Sequence, residues 1–421
     1  MYPHEIDRRE ADLGLLDYSA RPVAGAALDD LDPLERTRVR QAIQQYGGDR
    51  SLLVLSDEEL DGALGLTRRV DDAAEPTVAG LLLLGSETAL REHLPTHEVA
   101  FQDLAGTQVR ANEFYRRPLL WVIEEVMRHV GARNREEELL VGPYRVPVPA
   151  YDPGAVREAL ANAITHRDYT QLGAVHVRWL GDAVEVSNPG GFPEGVSVRN
   201  LLVTEPRPRN PLLADALKRI GLVERTGRGV DVIFQGSLRY GRPPPDYGRS
   251  TATSVVVRLP DGPADLPFLE LVIREEERRG SPLPVDDLLA LRLLREGRGV
   301  GPDDLARTIH RGDEEARQVL ERLAEAGLAV RNGKHYRLSA TALRRLEQTG
   351  VGRGSRAPSP AEREDAVLRH VASRGRITRR ETAELVGVGP YQASRLLDRL
   401  VAEGKLVRRG ERRGTFYERR S

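Results

Sequence analysis

Three stretches in the middle of the chain bring together side chains that could handle a nucleotide. Glu158 and Asn162 stand four apart in a run where Ala155, Val156, Ala159, Leu160, Ala163 and Ile164 recur at helical spacing. The two therefore share one face of a helix predicted over residues 153–165. A helix-borne amide carbonyl can ligate Mg²⁺, which takes only hard oxygen ligands, and a carboxylate one turn earlier can orient or deprotonate a water. Asn188-Pro-Gly190-Gly-Phe-Pro193 then follows a β-rich run, and Thr226-Gly227-Arg228-Gly229 opens a second helical run. Glycine-rich loops at helix N-termini let backbone N–H groups reach phosphate. The same residues also read as a solvated helix face and two tight turns.

The tail carries a different set. In residues 390–403, Ala393, Leu396, Leu397 and Leu400 fall on one helical face, which leaves Tyr391, Gln392, Ser394 and Arg395 near the helix start on other faces. Arg408, Arg409, Arg412 and Arg413 follow in a predicted strand pair. Side chains at the start of such a last helix suit base edges in the major groove, and hairpin arginines suit the phosphates beside it. Charge agrees: residues 341–421 carry 19 basic against 10 acidic side chains, and residues 1–150 carry 17 against 27, on a chain of net charge −1. A protein-contact use of the same helices, or a merely solvated basic tail, is the other reading.

The periodicities predict the elements that would hold these residues. Residues 174–180 and 183–187 read as a hairpin about Gly181-Asp182, 211–220 as a helix stopped at Gly221, 230–238 as a helix, and 253–259 as a closing strand. Ahead of them, 34–46, 58–66 and 115–130 read as helices. Residues 77–84 (Thr-Val-Ala-Gly-Leu-Leu-Leu-Leu) read as a buried strand and 97–104 as its companion, in a small α+β module. Behind them, helices at 286–295, 302–309 and 313–326 lead into two strands about Asn332-Gly333. The pattern recurs as helices at 361–373, 379–386 and 390–403 with strands in 406–417, after a linker rich in Gly, Ser, Arg and Pro. Three helices and a hairpin, twice over, predict two winged helix-turn-helix domains. The first is charge-balanced, with 10 basic and 10 acidic side chains over 281–340, and its third helix opens with Asp313-Glu314-Glu315. Carboxylates there would repel phosphate, so a spacer or dimerisation role suits it better.

Composition excludes several classes. With 421 residues the chain should hold two to four domains, and with no cysteine it has no disulfide scaffold, thiolate metal site or thiol chemistry. No apolar run approaches a membrane span and the start resembles no targeting peptide, so a soluble cytoplasmic protein is expected. His166-Arg167-Asp168 lacks the asparagine of a kinase catalytic loop, since Gly173 stands in its place. The Gly-Lys pairs precede His335 and Leu406 rather than Ser or Thr, so there is no P-loop. No Gly-x-Ser-x-Gly occurs, and the nine histidines show no metal-ligand spacing.

The order of these motifs resembles that of the Bergerat (GHKL) ATPases. More closely, Arg157-Glu-Ala-Leu-Ala-Asn-Ala-Ile-Thr-His-Arg-Asp-Tyr169, Glu185-Val-Ser-Asn-Pro-Gly-Gly-Phe-Pro193, Arg209-Asn-Pro211 and Gly221-Leu-Val-Glu-Arg-Thr-Gly-Arg-Gly229 are similar to the bacterial and archaeal transcriptional regulators of the Schlafen/AlbA-associated, "RecG-like" family. That resemblance implies an α+β multidomain chain. A remnant of the Schlafen/AlbA-type domain with a connector would span 1–140, and a GHKL-like α/β sandwich 141–262. Winged helices would span 281–345 and 361–421, joined by a linker over 346–360. It implies Asn162 as the Mg²⁺ ligand, Glu158 as the water-activating carboxylate, Asn188 at the adenine-reading position, Gly190 for close approach, and Gly227 and Gly229 by the phosphates, with Thr226 and Arg228 in the same loop. The wider superfamily uses Asp where Asn188 stands, a stronger partner for adenine. The acidic and Phe-Lys strand motif and the Asn-x-x-Gly-Gly loop of the Schlafen/AlbA core are absent before Thr77, so no nuclease role tied to that core carries over.

Together these readings predict a DNA-binding transcriptional regulator whose GHKL-like module binds ATP and Mg²⁺ and modulates the winged helices, most simply as a dimer. Two alternatives stand beside it. One is an ATP-hydrolysing nucleic-acid enzyme of repair or defence. The other is a repressor of double-stranded DNA with a degenerate nucleotide module.

Overall fold

The computed structural model describes residues 16–70, 73–106, 108–141, 144–205, 207–223, 228–297, 299–348, 364, 367–368, 370–371, 375–386, 390–410 and 415–419. They belong to two compact units, one of residues up to 136 with 147–351, the other of 137–146 with 352–421. The strands are β1 (Thr67–Val70), β2 (Ala73–Pro76), β3 (Val99–Ala105), β4 (Gln108–Tyr115), β5 (Glu136–Val141), β6 (Tyr144–Pro149), β7 (Val175–Trp179), β8 (Ala183–Pro189), β9 (Ser254–Pro260), β10 (Ala329–Asn332), β11 (His335–Leu338), β12 (Arg376–Ile377), β13 (Leu406–Arg409) and β14 (Phe416–Arg419). The helices of the first unit are α1 (Pro33–Gln45), α2 (Asp57–Ala63), α3 (Val78–Leu84), α4 (Glu87–His93), α5 (Leu119–Arg133), α6 (Pro153–His166), α7 (Pro211–Ile220), α8 (Gly229–Leu238), α9 (Leu266–Arg279), α10 (Val285–Arg295), α11 (Pro302–Ile309), α12 (Asp313–Glu325) and α13 (Ala340–Gln348). The second unit carries α14 (Arg379–Val386) and α15 (Pro390–Ala402).

A mixed five-stranded sheet in the order β4-β3-β7-β8-β9 organises the first unit. Strands β3 and β7 run parallel, and the other neighbours are antiparallel. Period-two alternation sends Val175, Val177, Val184, Val186, Val257 and Leu259 to one face, where they share a core with Ile123 and Val126 of α5 and Val156 and Leu160 of α6. The other face is polar. Gln102 Oε1 accepts from Arg178 Nε at 3.1 Å, and Arg178 and Arg249 both pair with Glu185, at 3.1 and 2.6 Å. So this is an α/β module with helices on one side of a mixed sheet.

One expected strand is a helix. Residues 78–84 form α3, all seven buried, with Thr77 Oγ1 accepting from the Gly80 N–H at 3.0 Å. An unbroken apolar run has no period to separate strand from helix. Composition decides: four leucines and an alanine favour helix, Val78 is the one β-branched residue within it, and Thr77 is a good N-cap. The companion stretch is the strand β3, and it joins the five-stranded sheet.

Helix α7 is held at both ends by distant chain. Asp17 Oδ2 accepts from the Leu212 N–H at 2.7 Å and Ser19 Oγ from the Leu213 N–H at 3.2 Å. At the other end the Asp49 N–H donates to the Arg219 carbonyl at 2.7 Å, and Arg219 pairs with Asp49 at 3.3 Å. Downstream, α9 to α13 and the β10–β11 hairpin share a second core that includes Leu288, Leu305, Leu320 and Tyr336. In the second unit, Ile377, Leu397, Leu400, Leu406 and Tyr417 form a small core, with a sheet in the order β12-β14-β13.

Candidate functional site

Helix α6 begins at Pro153, where a missing N–H costs nothing, and Asp152 caps it by accepting from the Ala155 N–H at 2.9 Å. Its 14 residues place Glu158, Asn162 and His166 in one line, each four from the next. Glu158 is buried, 4% exposed, while Asn162 and His166 are half-buried.

Gly229, the first residue of α8, lies over that line. A Cβ on it would collide with the Glu158 carboxylate and stand 3.2 Å from Asn162 Nδ2. Glycine is needed here for close approach. Helix α8 has no side-chain N-cap from Arg228. The Glu158 carboxylate sits against that end, where the helix dipole favours negative charge. Aromatic rings enclose this end of the line: Tyr247 stacks on Phe234 at 6.4 Å and lies 6.3 Å from Phe192. Burial raises the Tyr247 hydroxyl's pKa above its ordinary value, and the charge of Glu158 adds to the effect.

The other end of the line is built by Asn188 and Gly190 together with Asp168, Arg209 and Asn210, whose partners no motif spacing records. Asn188 lies on the helix-covered face of β8, buried, and its amide N–H donates to the Pro189 carbonyl at 3.0 Å, with longer contacts to the His166 and Gly190 carbonyls. Gly190 adopts φ +96°, and a Cβ there would come 2.9 Å from the Asp168 Cβ. Asp168 is buried; it accepts from Thr170 N–H at 3.0 Å and Gln171 Nε2 at 2.6 Å, and pairs with the buried Arg209 at 3.9 Å. Arg209 also donates to the Gly191 carbonyl at 3.2 Å. Asn210 ties this corner together by donating to the Thr165 and Arg167 carbonyls at 3.0 and 2.8 Å. The loop 189–193 thus runs beside the α6 line, from Asp168 near His166 to Tyr247 near Glu158. Burial pushes the His166 imidazole down to a pKa of about 4, and the Arg209 guanidinium contributes.

Glu158, Asn162 and Gly229 are therefore brought together, and Asn188 and Gly190 border the far end. Thr226 and Gly227 lie outside the described residues. Among the described residues no cluster of three or more His, Asp or Glu could hold a metal. Mg²⁺ binding does not require such a cluster, because the ion keeps several waters and binds through one or two protein oxygens plus substrate phosphates. In the tail, Tyr391, Gln392, Ser394 and Arg395 occupy the start of α15, with the side chains of Tyr391, Gln392 and Arg395 outside what is described. Arg408 and Arg409 are exposed on β13, Arg409 pairing with Glu418 at 2.8 Å; Arg412 and Arg413 lie outside the described residues.

Comparison with known proteins first defines a class. Residues 173–259 match the family model described as "Putative ATP-dependent DNA helicase recG C-terminal". This stretch, from β7 to β9, is thus similar to a RecG-like ATPase module, and the match begins just after the helix that carries Glu158 and Asn162. Residues 8–100 match a domain of unknown function, and residues 363–417 match the model of FaeA-like proteins. No curated protein matches the chain. Among solved structures, the chain is similar to the DIP2311 protein from Corynebacterium diphtheriae, with 26% identity over 96% of this chain and 70% of that one, at a TM-score of 0.64. No helix among the described residues is long and apolar enough to cross a membrane.

Proposed function

We propose that this chain is a DNA-binding regulator whose RecG-like module binds ATP with Mg²⁺ and passes its occupancy to the helices that follow. One observation carries the reading. Helix α8 starts at Gly229 against Glu158 and Asn162, and its other half buries Leu238 in the core of the α9–α13 unit, with Phe234 half-buried against that core. Gln235 Nε2 donates to the Leu283 carbonyl at 3.0 Å, and Arg239 pairs with Glu276 at 2.6 Å, so the helix is fastened at its far end. A ligand that shifts the start of α8 therefore shifts that unit.

Asn162 would hold Mg²⁺ through its amide oxygen, the N–H groups of α8 and its preceding loop would face the phosphates, and the Asn188 amide oxygen would accept from adenine N6. Glu158, shut beneath Gly229, reaches a water only when α8 moves, which favours a binding role over steady turnover. In the tail, α15 and the arginines of the hairpin would meet double-stranded DNA, with two copies of the chain the simplest arrangement. The α9–α13 unit, whose α12 opens on three carboxylates, would serve as spacer or dimer contact. Calorimetric titration with a non-hydrolysable ATP analogue and Mg²⁺, beside Asn162→Ala, tests the module; DNA affinity with and without the analogue tests the coupling. Binding that survives Asn162→Ala overturns the assignment of the metal ligand, and DNA affinity indifferent to bound analogue overturns the regulator.

A further inference from the structure

We infer that the stretch of chain ahead of the five-stranded sheet braces the nucleotide site, by gripping both ends of α7 and so fixing the two loops that border the ligand. Asp17, Ser19, Gly48 and Asp49 are then positioning residues. All four lie within residues 8–100, the stretch similar to a domain of unknown function. The inference rests on the nucleotide reading above and gives that domain a part in it.

Helix α7 has exchanged a cap of its own for a distant one. The first N–H groups of a helix have no partner within it. Here Asp17 Oδ2 accepts from the Leu212 N–H and Ser19 Oγ from the Leu213 N–H. The grip is itself held, because Asp17 Oδ1 accepts from the Ser19 N–H at 3.0 Å and from Ser19 Oγ at 2.6 Å. Asn210, at the N-cap position, is thereby left to bind the end of α6 through the Thr165 and Arg167 carbonyls. Its neighbour Arg209 reaches the Gly191 carbonyl and Asp168. The start of α7 is thus tied to the N-terminal stretch on one side and to the loop 189–193 on the other.

The far end repeats the arrangement. Gly48 packs so closely that a Cβ on it would collide with the Arg219 and Ile220 carbonyl oxygens. The Asp49 N–H donates to the Arg219 carbonyl, and the Arg219 guanidinium donates to the Ala63 carbonyl. Eight positions after Gly221 the chain reaches Gly229, against Glu158 and Asn162. A helix of 10 residues is a rod about 15 Å long, so a shift at either grip moves both loops.

The test uses the full chain with Mg²⁺ and a non-hydrolysable ATP analogue, titrated well below the melting temperature of each variant. Asp17→Ala and Gly48→Ala act at opposite ends of α7. Each should weaken the analogue about two- to thirty-fold, the span of a lost helix cap felt in full at the ligand. Asp17→Asn, which keeps an acceptor oxygen, should recover most of the first loss. Ser86→Ala is the control: it removes the cap of α4 in the same stretch, where Ser86 Oγ accepts from the Ala89 N–H at 3.2 Å, and should leave the affinity unchanged. Unchanged affinity in either Asp17→Ala or Gly48→Ala, or an equal loss in Ser86→Ala, overturns the brace and leaves the nucleotide reading standing. Failure of the unaltered chain to bind the analogue overturns both.

Discussion

Gly229 and Glu158 are 71 positions apart in the chain and in such close contact that no side chain fits between them: a Cβ on Gly229 would occupy the space of the carboxylate. The helix N-terminus that would attract phosphate is therefore covered by the protein's own carboxylate. Gly229→Ala is expected to destabilise the first unit by about 1–3 kcal/mol, the usual cost of overpacking. Its backbone is not left-handed, so the cost is steric and not torsional. Chemical denaturation of Gly229→Ala, Glu158→Ala and the double variant checks this. The double variant should be more stable than the sum of the single losses predicts, because the second change removes the group with which the new methyl collides. Strict additivity would mean that the two residues do not touch.

The clasp on α7 predicts a long-range capping effect. Asp17 accepts from the Leu212 N–H across 195 positions, a job that Asn210, the local N-cap, leaves undone: its side chain makes no cap hydrogen bond, and its amide N–H groups donate to the Thr165 and Arg167 carbonyls. Asp17→Ala should cost about 0.5–2 kcal/mol, as loss of an N-cap does, and Asp17→Asn less. Urea unfolding of both variants checks it. Equal losses for Ala and Asn would show that the carboxylate oxygen is not the acceptor that matters.

How far the sequence discloses these relationships depends on their range. Helix α6 is legible because its apolar residues keep a 3.6 period and Asp152-Pro153 marks its start. The β7–β8 hairpin is legible because Gly181-Asp182 separates two alternating runs. Glu158 and Asn162 announce themselves by spacing alone. Helix α3 does not, since seven buried residues in a row erase the period. Strand β4 is equally hidden: six of its eight residues are exposed, and only Ala111 and Tyr115 pack partly against the core. Asp168, Arg209 and Asp17 act on carbonyls, N–H groups or each other across the fold, and no local pattern records such partners. Asp168 and Arg209 do stand inside the motif stretches, which is a signal of importance without a signal of role.

One buried and one half-buried histidine predict an acid-sensitive fold. His97 and His166 are both held near a pKa of about 4, below their ordinary 6.5. Burial dominates in each case; Arg167 and Arg116 press further on His97, while its hydrogen bond to the Arg117 carbonyl opposes them. The unfolded chain therefore takes up these protons first as pH falls. Their contribution to stability is complete above about pH 7, declines from the unfolded value near 6.5 towards 4, and levels off below that. Replacing His97 by Gln, which keeps a donor for the Arg117 carbonyl, should flatten the decline by about one proton's slope. Unfolding free energies of the chain and the variant at several pH values check it, and parallel curves would remove His97 from the account.

The tail offers a test in which two neighbouring arginines should differ. Both Arg408 and Arg409 are exposed on β13, but Arg409 is paired with Glu418 on the facing strand at 2.8 Å, so part of its charge is already answered. If the hairpin meets DNA phosphates, Arg408→Ala should weaken binding at every sequence alike and lower the salt slope by about one. Arg409→Ala should do less, and Glu418→Gln should strengthen binding by freeing Arg409. Binding to an unrelated duplex at several salt concentrations measures all three slopes. If Arg408→Ala leaves affinity and slope unchanged, the hairpin is not a phosphate contact, and the charge of the tail serves another surface.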